Sequence, residues 1–155
     1  MMMYTEDLAN KLTRLLSDYA AFVKTPSEEE LRSGGFDYGL IVSSPVPGPA
    51  SFEILISSAE ALVIVEETTL GTEFSLADET DVEDVVDFVK HILQGDCITT
   101  TWTRSGKVVA STVQVKGTRH RRMSISGILK LGSKKKVIQH MSYKATRGSR
   151  PQPTE

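Results

Sequence analysis

The first apolar residues after the N-terminus fall at Leu8, Leu12, Leu15, Leu16, Tyr19, Phe22 and Val23, which is helical spacing with one buried stripe. Thr5 stands where a cap would. Thr25-Pro26 should end the element, because the residue before a proline is pushed out of the α region. Ser27-x-x-Glu30 reads as a capping box for a short second helix, closed by Gly34-Gly35. The pattern then alternates, with Phe36, Tyr38, Leu40 and Val42 on one face of a strand. Pro45-Val46-Pro47-Gly48-Pro49 cannot be a central strand and predicts an exposed loop. Phe52, Ile54 and Ile56 continue on a second strand. Ser58-Ala59-Glu60 is a turn, Leu62 to Val65 a buried strand, and Thr72 to Leu76 a short fourth one.

Thr80-x-x-Glu83 has the form of a second capping box. Behind it Val82, Val85, Val86, Val89 and Leu93 share a face, flanked by Phe88 and Ile92. Asp81, Glu83 and Asp84 sit in the first turn, Lys90 and His91 in the last, and Gly95 comes next, as the helix dipole and a left-handed C-terminus would have it.

The remainder predicts only strands. A two-residue turn at Ser105-Gly106 sets Arg104 opposite Lys107, Trp102 opposite Val109, Thr100 opposite Ser111 and Ile98 opposite Val113. Ile98, Trp102, Val109, Val113 and Val115 then share an apolar face. A second hairpin about Gly132-Ser133-Lys134 sets Leu129 opposite Val137, Ile125 opposite Met141 and Met123 opposite Tyr143. Residues 144–155 are polar, basic and Pro-containing, and predict a disordered tail. The expectation is one α+β domain over 1–143. It has an antiparallel sheet of about 6–8 strands, with an N-terminal helix and one central amphipathic helix packed on one face.

Charge changes this picture more than composition does. The net charge is −2, but residues 1–96 carry 5 of the 18 Lys and Arg and 19 of the 20 Asp and Glu, a balance of −14. Residues 97–155 carry the other 13 basic residues and only Glu155, a balance of +12. Either the halves neutralise one another, or each faces a charged partner. No apolar run approaches the roughly 18 residues that span a bilayer, and MMMYTEDLAN lacks the basic and apolar regions of a secretory signal. The lone cysteine, Cys97, excludes an internal disulfide. These features point to a cytoplasmic protein with no membrane contact.

Catalytic chemistry finds little purchase. His91, Cys97, His120, His140 and the acids show no metal-ligand spacing, and no phosphate-binding glycine motif occurs. The hairpin register sets Ser126 opposite His140, without an acid to orient the pair. No catalytic residue, metal ligand or cofactor site is therefore expected. Two charged sets remain. Glu66, Glu67, Asp84 and Asp87 would meet a basic protein. Arg119, Arg121, Arg122, Lys134, Lys135 and Lys136 would attract an anion or nucleic acid if both hairpin tips lie at one end of the sheet.

The segment FEILISS, a turn, ALVIVEE and then DVEDVVDFVKHILQGDCI resembles, in its order of elements, the small bacterial immunity proteins that neutralise polymorphic or secreted toxins. The order of a helix, three strands, a helix and strands also resembles the secretion chaperones, although here four strands end the chain with no final helix. Either resemblance implies a non-catalytic domain whose charged surface holds a basic toxin or secreted effector. An exposed sheet edge could also pair two copies as a homodimer.

Overall fold

A computed structural model describes residues 2–66, 68, 71–117, 121–123 and 132–143, with backbone alone for 2, 3 and 121–123. Helix α1 (Met2–Leu15) runs into a 3-10 segment, Leu16–Phe22, which leaves helical geometry at Tyr19 (φ −119°, ψ 21°). The chain is extended by Val23, so the helix ends before Thr25-Pro26 is reached. Thr5 is inside α1 and not its cap: its Oγ1 donates to the Ser57 carbonyl at 2.9 Å, tying the helix to the turn at Ser57–Ala59. Leu8, Leu12 and Leu16 carry the buried stripe as the spacing required.

Strands β1 (Val23–Lys24), β2 (Tyr38–Val42), β3 (Phe52–Ile56), β4 (Glu60–Val65) and β5 (Thr72–Ser75) form one antiparallel meander in chain order. Leu40 pairs with Ile54 and Ile54 with Val63, so the alternating apolar residues fall on one face. That face is covered by α1 and by α3 (Glu79–Leu93), which buries Val82, Val85, Phe88, Val89, Ile92 and Leu93. The other face takes α2 (Glu28–Gly34), whose Leu31 packs with Pro26 and Leu55 over Gly39. The Ser27 side chain accepts from the Glu30 N–H, as its sequence form predicted.

Helix α3 starts two residues earlier than Thr80-x-x-Glu83 implies. Asp78 is the cap, and Asp78 and Asp81 make the reciprocal box. Asp81 Oδ2 accepts from the Ala77 N–H at 2.7 Å and from Ser75 Oγ at 2.8 Å. These bonds, the Ala77 N–H first, hold its carboxyl below the usual range. Asp can fill both positions of a motif usually read as Ser/Thr with Glu/Gln, which hid this start.

Class, antiparallel pairing, N-terminal helix and central helix stand as expected, but the strands divide over two sheets. The second has the order β8-β7-β6-β9, from β6 (Cys97–Arg104), β7 (Lys107–Val115), β8 (Arg121–Met123) and β9 (Lys134–Gln139). Ser105 (φ 54°) and Gly106 (φ 78°) make the two-residue turn, because both central residues of that turn need positive φ. Arg104 pairs with Lys107 as predicted. Val109 is then bulged out, so Trp102 pairs with Ala110, Thr99 with Val113 and Cys97 with Val115. One extra residue exchanges the faces. Cys97, Thr99, Thr101, Val113 and Val115 turn inward and are buried, whereas Ile98 and Trp102 turn outward and are half-buried. β9 pairs with β6, with Val137 opposite Thr100. Leu129 and Ile125, the partners predicted for Val137 and Met141, lie outside the described residues, as do Ser126, His120 and the tail at 144–155.

Tyr143 joins the two sheets. It is buried, its ring lies 6.0 Å from those of Phe22 and Tyr19 and 6.4 Å from that of Phe52, and its hydroxyl donates to the Ala50 carbonyl at 2.6 Å. Gly95 (φ 87°) supports the same seam. A Cβ there would stand 2.7 Å from the Ser142 nitrogen, so both backbone conformation and space demand glycine. Gly95→Ala should therefore destabilise the fold by at least about 1–2 kcal/mol, and Tyr143→Phe by about 1–3 kcal/mol through the orphaned Ala50 carbonyl. Thr72 is the opposite case: among the described residues its buried Oγ1 is the side-chain polar atom with no partner. Thr72→Val should leave stability unchanged or raise it by up to about 1 kcal/mol. Urea unfolding midpoints of the three variants check these signs.

Candidate functional site

The residues with the most versatile chemistry are held in structural contacts. Cys97 is buried where α3 hands over to β6, and burial, with the Glu66 carboxylate second, pushes its thiol up to about 12. A thiol so placed is not a nucleophile near neutral pH. His140, the residue after β9, is buried beside it, sharing a 2.9 Å hydrogen bond with Thr99 Oγ1. His91 donates from Nδ1 to Asp96 Oδ2 at 2.9 Å and lies over Gly117. Among the described residues, no three His, Cys, Asp or Glu side chains converge as a metal site would require.

One open groove lies along the seam. The Ser44–Pro49 loop, Ser51 and Glu66 form one wall and Ile138–Met141 the other, around about 550 Å³. Glu66 Oε1 accepts from the Ser51 N–H at 3.0 Å, so this carboxylate has a local structural role. Its charge also helps to raise both Cys97 and Tyr143, which places it electrostatically at the seam.

The acidic set is not assembled as one patch. Asp84 and Asp87 are exposed one turn apart on α3, on the side away from its buried stripe, with exposed Glu79 and Glu83 nearby in sequence. Glu83 is paired with Lys11 at 2.8 Å. Glu66 belongs to the groove, and Glu67 lies outside the described residues.

The basic set also separates. Lys134, Lys135 and Lys136 pair with Thr103, Trp102 and Thr101, at the end of the second sheet that carries the β6–β7 turn. Arg121 and Arg122 pair with Gln114 and Val113, towards the other end, and Arg119 lies outside the described residues. The condition that both predicted tips share one end is therefore not met by Arg121 and Arg122. Arg104 and Lys107, paired across the turn, join the lysines instead. Sequence reasoning missed this because the bulge at Val109 and the β6–β9 pairing carry no local signal.

Every ion pair between two described residues lies within residues 7–96: Lys11 with Asp7 and Glu83, Arg32 with Glu28, and His91 with Asp96. None joins the acidic half to the basic half. No known protein family, curated protein or solved structure matches the chain.

Cys97 and Tyr143 make the seam sensitive to alkali. Both groups are raised, first by burial and then by Glu66. Below its unfolded value near 9 the Cys97 thiol is protonated in both states and its contribution is fully present. That contribution is lost as pH rises towards about 12, because only the unfolded chain ionises readily. Urea midpoints should fall between roughly pH 9 and 11, and less steeply in Cys97→Ala. A thiol reagent should label Cys97 of the native protein far more slowly than the urea-unfolded chain. Fast native labelling would contradict the buried placement.

Proposed function

We propose that the chain is a non-catalytic protein-binding domain whose acidic helical face takes a basic partner, and that it acts as an immunity-type inhibitor of a toxin or secreted protein. The observation that carries the reading is the outer face of α3. Asp84 and Asp87 are exposed there, and neither forms an ion pair among the described residues. The helix is held rigidly from beneath by its six buried side chains. Carboxylates fixed on a rigid element lose little freedom on association and steer a basic partner towards them. A chaperone-like holder of a secreted effector would use the same face.

Among the described residues, Cys97 and His140 are buried in the fold and His91 is bonded to Asp96, whereas the outer face of α3 carries carboxylates. Surface charge changes association rates strongly and performs no bond-breaking by itself.

The test uses the basic product of a gene adjacent to this one. Co-expression should relieve its toxicity or recover it as a complex. Asp84→Lys with Asp87→Lys should slow association at least about tenfold at low salt and flatten its salt dependence. Unchanged association in the double variant would remove α3 as the interface. The absence of any complex with such a product would remove the immunity reading.

A further inference from the structure

The bulge at Val109 puts Trp102 on the outer face of the second sheet, paired with Ala110 on one side and Lys135 on the other. The indole is half-buried, and Lys135 Nζ lies 6.0 Å from its ring centroid. Two residues further along β6, Arg104 is paired with Lys107 on this same face, at the turn. Next to them, opposite Thr100, Val137 is 58% exposed. The face thus carries one aromatic ring with Lys135 over it, two cations paired at the adjoining turn, and an exposed aliphatic side chain. Residues 97–155 hold 13 basic residues and one acid, Glu155.

We propose that this end of the second sheet binds single-stranded nucleic acid, with a base stacked on Trp102 and the flanking phosphates on Arg104, Lys107 and Lys135. Two kinds of group are combined here, and a single strand offers the complement of each: phosphates for the cations and a π-face for the indole. An acidic protein would use the cations but has no need of the ring. An anionic membrane would ask for more apolar side chains than Val137 and Trp102 supply. Lys135 covers the ring as a cation does in the absence of a base. A nucleotide would give its ammonium a phosphate in place of the ring. Lys134 and Lys136, exposed on the other face of the same strand end, add to the attraction without touching the base.

The chain has one tryptophan, so its fluorescence reports on this face alone. Oligothymidine of about 20 nucleotides, long enough to cover such a site, should quench that fluorescence and raise the anisotropy of a labelled strand at low salt. The logarithm of the association constant should fall linearly with the logarithm of salt, with a slope of about −2 for three phosphates. Lys107→Gln and Lys135→Gln should each reduce that slope by about 0.7. Trp102→Leu should weaken binding at least about fivefold with the slope unchanged, which separates stacking from charge. Should that variant misfold, quenching of the wild-type indole reads the same contact. The proposal is overturned if the strand does not bind at low salt, or binds without quenching. It is equally overturned if polyglutamate or phosphatidylserine vesicles quench the indole as strongly at equal charge.

Discussion

Burial of one face of α3 is the constraint on which the rest of the molecule depends. Val82, Val85, Phe88, Val89, Ile92 and Leu93 close the inner face of a five-stranded meander that would otherwise leave Phe52, Ile54, Ile56, Val63 and Phe74 in water. Phe74 and Phe88 meet edge to face, their ring centroids 5.2 Å apart. Each such side chain is worth about 1.5–3 kcal/mol on burial, so the helix cannot leave without the layer failing. Fixing α3 also fixes the chain beyond its C-terminus. Gln94 caps its end, Gly95 turns the chain, and Cys97 begins the second sheet while still inside the first core. The acidic outer face of α3 and the basic second sheet are consequences of the same docked helix.

Much of this arrangement is legible in the sequence because its signals are local and repeated. The α3 stripe, the alternation from Tyr38 to Ile56, the Pro45–Pro49 loop and the Ser105-Gly106 turn all rest on periodicity or on backbone constraints of single residues. What escaped is non-local or depends on one residue. Val109 reads as an ordinary strand residue, yet its bulge decides that Trp102 faces out and Thr99 faces in. Patterning favoured the opposite sorting, since it would have gathered Ile98, Trp102 and Val109 on one side. The structure accepts threonines inside because His140 supplies a partner for Thr99. A histidine on a different strand could not be foreseen as that partner. The division into two sheets was hidden for the same reason. β6 comes after a helix and pairs with β7 and β9, so no residue of β5 or β4 signals that the meander has stopped.

The seam between the sheets shows how little of the polar chemistry is left over. Tyr143 spends its hydroxyl on Ala50, Glu66 spends one oxygen on Ser51, and Gln139 donates to the Gly95 carbonyl at 2.8 Å. These bonds satisfy backbone groups that the loop between β2 and β3 and the end of α3 expose to one another. A groove lined this way is a joint first. Its exposed apolar members are Val46 and Met141, while Glu66 and His140 are both hydrogen-bonded.

The near-zero net charge conceals what the surface offers. A folded chain of this length has a radius of gyration of about 15 Å, whereas screening at physiological salt acts over about 8 Å. Opposite charges on separate layers are therefore too far apart to cancel one another, unless they meet in ion pairs, and among the described residues no pair crosses from the acidic half to the basic one. A partner approaching α3 meets carboxylates, and one approaching the β6–β7 turn meets cations. The two surfaces thus present local potentials of opposite sign. Raising the salt weakens both, since each attraction is screened locally and neither depends on the net charge of the molecule.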